Sequence, residues 1–282
     1  MKLLRFGPEG RERPGILDAD GTIRDASGLI SDWRGDVLDP GNLAGLADVD
    51  ISRLPAVEGE VRLGPCVGHV GSFICVGINY LEHANETGST PPAEPLIFMK
   101  STSALSGPDD PIIIPRGASC TDWEVELGIV IGRSARYVEE AKALDYVAGY
   151  CTVDDVSERD FQKNRAGQWV KGKSADSFGP IGPWLVTRDE IADVQNLRLW
   201  TEVNGQRMQE SSTSLMIAGV ARLVSYISHF FTLRPGDIIS TGTPSGVAMG
   251  RTPPNYLKPG DTVVLEVEGL GRQTHRVVDA GV

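Results

Sequence analysis

The chain has 282 residues, 40% of them apolar, and a formal net charge of −11 with a sequence pI near 4.9. A chain this acidic offers no evident basic surface to neutralise phosphates, which argues against nucleic acid as its main partner. Its four cysteines show no CxxC spacing, the first residues lack an apolar core of signal-peptide length, and no apolar run reaches 18 residues. We therefore expect a soluble, cytoplasmic protein that does not span a membrane.

Residues 1–68 are predicted to form a small N-terminal β-rich domain, because short apolar pieces alternate with Pro-Gly, Asp-Gly and Asp-Pro turns. A buried strand is predicted in the apolar run 71–77, so we place the catalytic domain at 69–282. Further strands are predicted at 111–115, 146–154, 236–241, 262–268 and 273–278, and helices at 138–145 and 212–232. This mixture, without a regular βαβ series, predicts an α+β fold dominated by β structure.

Residues 122–132 alternate with the period of a β-strand, which places Glu124 and Glu126 on one face and large apolar side chains on the other. Two carboxylates about 7 Å apart along a strand are close enough to converge on one hard cation. The small residues that follow on the same face, beginning with Gly128, are expected to leave room for a substrate.

The Glu-x-Glu pattern is not distinctive alone, since it recurs at 58/60 and 266/268, where a solvated face is the simpler interpretation. Asp155 follows a predicted strand and is a candidate third ligand, although Asp is equally common there as a helix N-cap. If Asp155 joins the two glutamates, the three carboxylates form an all-oxygen site suited to Mg²⁺ or Mn²⁺. The remaining coordination positions would take a 2-keto acid or water.

His83 and Glu86 are spaced as neighbours on the first turns of a predicted helix, where Asn79 and Glu82 resemble a capping box. Glu86 would then fix the imidazole tautomer and raise its basicity, which is typical of a general base. The alternative is an ordinary pair on a helix surface.

Residues 167–174 match the P-loop pattern GxxxxGK[ST]. A P-loop follows a strand and opens a helix, but here the preceding residues are helix-like and two Gly-Pro breaks follow. We interpret Lys173 as a cation that a loop delivers to an anionic site. The stretch 241–246 has hydroxyls and glycine amides that suit a carboxylate or phosphate, or it is simply a tight turn.

Together these residues resemble the fumarylacetoacetate hydrolase family over about residues 71–282. The pieces, in the family's order, are 76–80 with His83 and Glu86, 98–100, 124–128, 155–160 with Gln162, 172–174, 203–205 and 236–244. The resemblance implies a mixed β-sandwich roll, a homodimer or larger homo-oligomer, and Mg²⁺ or Mn²⁺ on Glu124, Glu126 and Asp155. Many members have Asn-Asp at 154–155, and the spacing to Arg159 and Gln162 assigns the ligand role to Asp155. The catalytic residues it implies are His83, Glu86 and Lys173, and the substrate-binding residues are Arg159, Gln162, Lys173 and Thr243.

The N-terminal module and the stretch 168–184 further resemble the branch of 2,4-diketo-3-deoxy-sugar-acid (rhamnonate or fuconate) hydrolases. This implies metal-dependent cleavage of a C–C bond in a 2,4-dioxo acid, giving pyruvate and a second acid such as lactate, in sugar acid catabolism. The alternatives are ureidoglycolate lyase, or decarboxylation of oxaloacetate or isomerisation of an unsaturated keto acid at the same site. From another class, nucleotide binding by the apparent P-loop is the remaining alternative.

Overall fold

A computed structural model describes residues 1–46 and 48–281 of the chain. Its strands are β1 (Lys2–Phe6), β2 (Arg13–Leu17), β3 (Ile23–Asp25), β4 (Phe73–Gly77), β5 (Leu96–Lys100), β6 (Leu105–Ser106), β7 (Ile112–Ile114), β8 (Thr121–Asp122), β9 (Val125–Ile131), β10 (Val147–Asp154), β11 (Ser157–Glu158), β12 (Gly179–Pro180), β13 (Leu185–Thr187), β14 (Arg198–Val203), β15 (Gln206–Ser212), β16 (Ile238–Ser240), β17 (Thr262–Val267) and β18 (Gly271–Asp279). Its α-helices are α1 (Pro40–Leu46), α2 (Leu81–Glu86), α3 (Arg159–Asn164), α4 (Val170–Lys173) and α5 (Val220–Ser228). Short 3-10 helices lie at Gly35–Leu38, Ile51–Arg53, Thr102–Ala104, Glu140–Tyr146, Arg188–Glu190, Val194–Asn196, Thr213–Leu215 and Ala248–Gly250.

Two sheets organise the fold. The larger has nine strands in the order β3-β2-β1-β13-β10-β9-β16-β4-β5, and the smaller has five in the order β15-β14-β17-β18-β7. In the larger sheet the pairing of β16 with β4 is parallel and the other pairings are antiparallel. Helices are few and short, so the prediction of an α+β fold dominated by β structure is confirmed.

The side chains of β9 alternate between two cores, whereas the sequence pattern predicted a core on only one face of the strand. Val125 and Leu127 pack into the core that the two sheets share, with strands of the smaller sheet opposite them. Val130 belongs to a second core that also contains Trp33 of the N-terminal region. Because both faces of β9 are covered, Glu126 is buried with an exposed fraction of only 1%.

The expectation that small residues after Glu126 leave room for a substrate is wrong. A Cβ atom added at Gly128 would lie 2.6 Å from Val153 Cγ2 and 2.8 Å from Cys151 Sγ. Gly128 is therefore small because β10 packs closely against it.

The second predicted helix, 212–232, is much shorter in the structure. Residues 206–212 form β15, and the α-helix begins only at Val220, after Gly219 as its N-cap. Between them, Ile217 N donates to Asn79 O over 2.8 Å, which holds the segment in an extended path. The helix predicted at 138–145 forms as a 3-10 helix at Glu140–Tyr146. Among the described residues, no helix has the length and apolar content that a membrane span requires.

The N-terminal strands continue the large sheet. Leu3 of β1 pairs with Leu185 of β13, and Trp33 lies fully buried behind β1 and β2. The Trp33 indole Nε1 donates to Leu4 O over 2.9 Å and to Gly15 O over 3.1 Å. The division of the chain into domains 1–68 and 69–282 stays a prediction, and Trp33 is the place to test it.

Replacing Trp33 with Ala is expected to lower the free energy of unfolding by about 3–5 kcal/mol, because it removes a large buried aromatic side chain. Urea unfolding followed by circular dichroism measures this loss. Trp200→Ala, at a half-buried position on β14, is the control and should cost less. If residues 1–68 are a separate domain, Trp33→Ala should produce a second, earlier transition. A single transition shifted as a whole would contradict the division.

Candidate active site

The three predicted metal ligands lie side by side at one end of the β9–β10 pair. Asp155 N donates to Glu124 O over 2.9 Å, which extends the ladder beyond the strands and aligns the two residues. One carboxylate oxygen from each of Glu124, Glu126 and Asp155 lies within 4.8 Å of the others. All three side chains are buried. Their role as ligands stays a prediction, and this donor set is the one that Mg²⁺ and Mn²⁺ prefer.

Asp154 and Asp155 have different surroundings. Asp155 lines the cavity described below, whereas Asp154 Oδ1 accepts a hydrogen bond from Glu124 N over 2.8 Å. The alternative of Asp155 as a helix N-cap is wrong, because α3 is capped by Glu158, whose side chain accepts from Asp160 N. Burial raises the pKa of Asp154 to about 7.

Two buried lysines contact the acidic cluster. Lys173 Nζ donates to Glu124 Oε2 over 2.5 Å and to Asp155 Oδ2 over 2.6 Å. Lys100 Nζ donates to the other oxygen of Asp155 and to Val156 O. Burial by itself lowers the pKa of Lys173, but the carboxylates of Asp155 and Glu124 outweigh it, so the pKa lies above its ordinary value.

Lys173 is the last residue of the short helix α4, and not part of a loop as predicted. The segment before α4 follows helix α3, so a strand does not precede the apparent P-loop. The lysine side chain contacts carboxylates where a P-loop lysine would meet phosphate. The P-loop alternative therefore lacks the structural context that it requires.

Arg159 and Gln162, the first and fourth residues of α3, lie beside the acidic cluster. Arg159 Nη2 is 2.6 Å from Glu124 Oε1, and its Nε donates to Asp122 Oδ2 over 2.9 Å. Arg159 Nη1 donates to Gln162 Oε1 over 3.1 Å. That bond orients the amide so that Gln162 Nε2 remains available as a donor to a ligand in the cavity, which Gln162 lines.

The charges of the cluster support a divalent cation. Three carboxylates (Asp122, Glu124 and Asp155) pair with three cations (Lys100, Arg159 and Lys173). Within the described part of the chain, Glu126 and Asp154 form no ion pair, so two buried carboxylates are uncompensated. Burial, with Asp155 and Glu124 close by, raises the pKa of Glu126 well above its ordinary value. A bound Mg²⁺ or Mn²⁺ would supply positive charge beside these groups and favour the ionised form of Glu126, so the residues fit the metal.

His83 and Glu86 form the predicted pair on α2. His83 Nδ1 lies 2.9 Å from Glu86 Oε1, and the imidazole is 7% exposed. The contact with a carboxylate indicates that Nδ1 carries the proton, which leaves Nε2 with a free lone pair. Glu86 Oε2 accepts from Gly246 N over 2.9 Å, so the carboxylate is held on both sides. The alternative of an ordinary surface pair is therefore wrong, since His83 is buried and lines the cavity.

The predicted capping box does not form. Helix α2 begins after Tyr80, which makes no side-chain cap, and the Asn79 side chain has another role. Asn79 Nδ2 donates to Ala218 O and to Thr241 O, and Asn79 Oδ1 accepts from Ala218 N. These three bonds tie the start of α2 to the residues just before α5 and just after β16. They therefore position the helix that carries His83.

The three carboxylates and His83 line one cavity of about 60 Å³. Besides the residues above, the cavity is lined by Val76, Gly77, Ile78, Thr87, Ser89, Phe98, Lys163, Trp169, Thr243 and Met249. Trp169 packs edge-on against Phe98 with ring centroids 5.2 Å apart. A Cβ atom at Gly77 would lie 2.8 Å from the Trp169 ring, so the glycine lets the indole cross the end of β4.

Thr243 lies in the cavity wall as predicted, but its hydroxyl is already bonded. Thr243 Oγ1 donates to Val125 O over 3.0 Å and accepts from Gln209 Nε2 over 2.8 Å. The hydroxyl proton is therefore already used in a hydrogen bond within the protein. A hydrogen bond from this hydroxyl to a substrate would require breaking the bond to Val125.

Sequence reasoning assigned no role to Lys100, Asp122 or Trp169. Lys100 and Asp122 stand in the quoted stretches 98–100 and 122–132, and only their contacts reveal what they do. Asp122 accepts from Ala248 N and Met249 N as well as from Arg159, so it joins the cluster to the 3-10 helix at Ala248–Gly250. Asp122 shares the strand face of Glu124, so strand alternation is the signal that could have found it, whereas no local pattern points to Lys100.

Gly250 lies against Glu86 of the His83–Glu86 pair, which makes Gly250→Ala an informative change. The added Cβ would lie 2.6 Å from Glu86 Oε2 and 2.7 Å from Glu86 Cδ. Since these atoms end a flexible side chain, the fold can absorb the methyl group by moving the Glu86 carboxylate away from His83. We expect kcat to fall about ten- to a hundredfold with KM and Mn²⁺ affinity unchanged.

Steady-state kinetics of Gly250→Ala beside Gly28→Ala, where a Cβ meets nothing within 4 Å, measures this effect. In a Glu86→Ala background, Gly250→Ala should add little, because the two changes act through one contact. Full additivity of the two effects would contradict this interpretation.

Known proteins with similar sequences and structures agree with the fold. The family model described as Fumarylacetoacetate (FAA) hydrolase C-terminal matches residues 72–278. A Burkholderia cenocepacia (strain HI2424) protein, named only as a candidate hydrolase, is 58% identical over 281 residues, covering 99% of this chain and 100% of its own. The fumarylacetoacetate hydrolase from Exiguobacterium antarcticum has a TM-score of 0.87 at 36% identity, covering 99% of this chain and all of its own.

A second solved structure is the maleylpyruvate hydrolase from Sphingobium sp. SYK-6 in complex with manganese(II) ion and pyruvate. It has a TM-score of 0.82 at 28% identity and covers the whole of both chains. The family model alone spans well over half of the chain, and the Exiguobacterium structure adds similarity over nearly its full length. The chain therefore belongs to the fumarylacetoacetate hydrolase family of enzymes.

Proposed function

We propose that the protein hydrolyses the C3–C4 bond of a 2,4-dioxo acid, releasing pyruvate and a second carboxylic acid. The observation that carries the proposal is that His83, whose Nδ1 contacts Glu86, lines the same cavity as Glu124, Glu126 and Asp155. A chelated 2-keto acid on one side and a general base on the other are what hydrolytic release of pyruvate requires. The Sphingobium enzyme, whose structure holds manganese(II) and pyruvate, is consistent with this division of the site.

Glu124, Glu126 and Asp155 would hold Mg²⁺ or Mn²⁺. When bound, the ion supplies positive charge that binds the 2-keto carboxylate and stabilises the negative charge that develops on the substrate. The guanidinium of Arg159 and the free Nε2 donor of Gln162 are placed to bind the substrate carboxylate. We assign Thr243 to the same wall, where its hydroxyl contributes only if it exchanges Val125 O for the substrate.

His83 would start the reaction. Its Nε2 takes a proton from water, whose oxygen attacks the C4 carbonyl, while the Glu86 carboxylate stabilises the imidazolium that forms. The C3–C4 bond then breaks, and its electron pair passes to C3 as the enolate of pyruvate, to which buried Lys173 donates a hydrogen bond. The imidazolium returns its proton to C3. The dioxo acid and one water thus become pyruvate and the acid that carries the former C4 carbon.

For the substrate itself we propose 2,4-diketo-3-deoxy-L-rhamnonate or the corresponding fuconate, whose cleavage would give pyruvate and lactate. This assignment rests on the resemblance of the N-terminal module and of the stretch 168–184. The small cavity supports a short distal group, such as the hydroxyethyl group of these substrates.

The test is a screen of 2,4-dioxo acids, including acetopyruvate and both sugar-derived acids, with pyruvate release measured in Mg²⁺, in Mn²⁺ and in EDTA. We expect metal-dependent pyruvate release, fastest for the sugar-derived acids, and none in EDTA. Decarboxylation of oxaloacetate without cleavage of any dioxo acid would contradict the proposal. Release of urea and glyoxylate from ureidoglycolate would do the same.

A further inference from the structure

One cavity residue has a backbone conformation that its side chain disfavours. Ile78, directly after β4, has φ of 56°, in the left-handed region. Branching at Cβ makes this region costly for isoleucine, and such residues persist where the surroundings enforce them and where function benefits. Glycine would adopt the same φ freely.

The neighbours of Ile78 explain how the conformation is enforced. On one side, Gly77 is paired with Leu96 of β5 and lies under the Trp169 ring. On the other side, Asn79 is fixed by its three side-chain hydrogen bonds and by the bond from Ile217 N to its carbonyl. The backbone must therefore turn at position 78, whichever side chain stands there.

Ile78 also lines two cavities. The first is the candidate active site, and the second, of about 50 Å³, is lined by the same residues 76–78 together with Pro92, Ala93, Pro95 and Ile217. The second cavity is mainly apolar, and Arg222 and Glu94 also line it. Ile78 therefore forms part of the wall of both cavities.

We propose that Ile78 determines substrate specificity by closing the active-site cavity against this second, apolar cavity. The enzyme then accepts a chelating 2-oxo acid head with a short distal group and excludes longer unbranched apolar tails. Removing the side chain joins the two cavities, so that a tail of several methylene groups reaches Pro92 and Ile217. This inference rests on the proposed function, because it places the 2-oxo acid head at the carboxylate cluster.

The experiment is isothermal titration of the Mn²⁺-loaded protein with pyruvate, 2-oxobutanoate, 2-oxohexanoate and 2-oxooctanoate, which test binding without turnover. For the wild-type protein we expect affinity to fall beyond 2-oxobutanoate. For Ile78→Gly we expect pyruvate affinity to stay within about twofold, and 2-oxooctanoate to bind at least about tenfold more tightly than to wild type, since each buried methylene adds to binding. Ile78→Ala, which removes three of the four side-chain carbons, should give an intermediate result.

His69→Gly is the matched control, because His69 also has a left-handed φ, of 54°, but is exposed and lines neither cavity. It should leave the chain-length profile unchanged. Thermal unfolding of each variant establishes that it is folded, and Ile78→Ala carries the test if Ile78→Gly is not.

The failure modes are distinct. Pyruvate binding with the same chain-length profile in wild type and both Ile78 variants would overturn the inference and leave the proposed function standing. Failure of every 2-oxo acid to bind any of the proteins would instead overturn the proposed function, and the inference with it.

Discussion

Replacing His83 with Ala is expected to lower kcat for pyruvate release about a thousandfold while Mn²⁺ affinity stays unchanged. His83 is the histidine in the cavity wall, and its Nδ1 contact with Glu86 leaves Nε2 free to take a proton from water. General-base catalysis typically contributes a factor of about 10²–10⁴. The proposed ligand oxygens belong to three other residues, so we expect metal binding not to depend on the imidazole.

Two measurements check this result: steady-state kinetics on a 2,4-dioxo acid, and titration of the metal-free protein with Mn²⁺. His229→Ala is the control, because this exposed histidine ends α5 and lies outside the cavity. Near wild-type kcat in His83→Ala would remove His83 as the base. Since decarboxylation needs no attacking water, oxaloacetate decarboxylation that survives in the variant would separate the two reactions.

Replacing Glu126 with Gln is expected to weaken Mn²⁺ binding at least about a hundredfold and to abolish activity at ordinary metal concentrations. Glutamine keeps the size of the side chain and an oxygen that can accept from Ser240 Oγ and Gly242 N, as Glu126 Oε2 does. It replaces one of the three carboxylates proposed to bind the ion with a neutral amide. A neutral oxygen holds a divalent ion less strongly than an anionic one, so affinity falls while the fold is kept.

Glu266→Gln is the matched control for Glu126→Gln. Glu266 belongs to another Glu-x-Glu pair and lies on β17, where its carboxylate is 3.3 Å from the Arg272 guanidinium near the surface. Mn²⁺ titration and kinetics with increasing metal should distinguish the two variants. Equal Mn²⁺ affinity in Glu126→Gln and wild type would show that Glu126 is not a ligand.

The residues that the sequence could place are those whose position follows from a local period. Strand alternation predicted that Glu124 and Glu126 leave the apolar side of β9, and helical spacing predicted that His83 meets Glu86. Both predictions depend only on neighbours within four positions along the chain. The end of β10 at Asp154 is likewise visible in the sequence, as a change from apolar to polar residues.

What the sequence could not place depends on contacts between distant segments. Lys100 meets Asp155 across 55 positions, and no local pattern relates the two. The apolar spacing around 216–231 suggested one helix, because a residue buried by a long-range contact looks the same in sequence as one buried by helix packing. The sequence around Gly128 suggests open space for the same reason, since the side chains that fill this space belong to β10, more than 20 positions further along the chain.

The position of β9 between two cores has a consequence for mutagenesis. The strand that leads from the candidate ligands is also the strand on which both cores depend, so few substitutions between 122 and 131 will be silent. Inactive variants from a random library will be a mixture of unfolded chains and folded chains that have lost only the metal. Each library clone therefore needs a solubility or fluorescence measurement beside its activity. Without it, residues that are needed only for stability will be counted as catalytic.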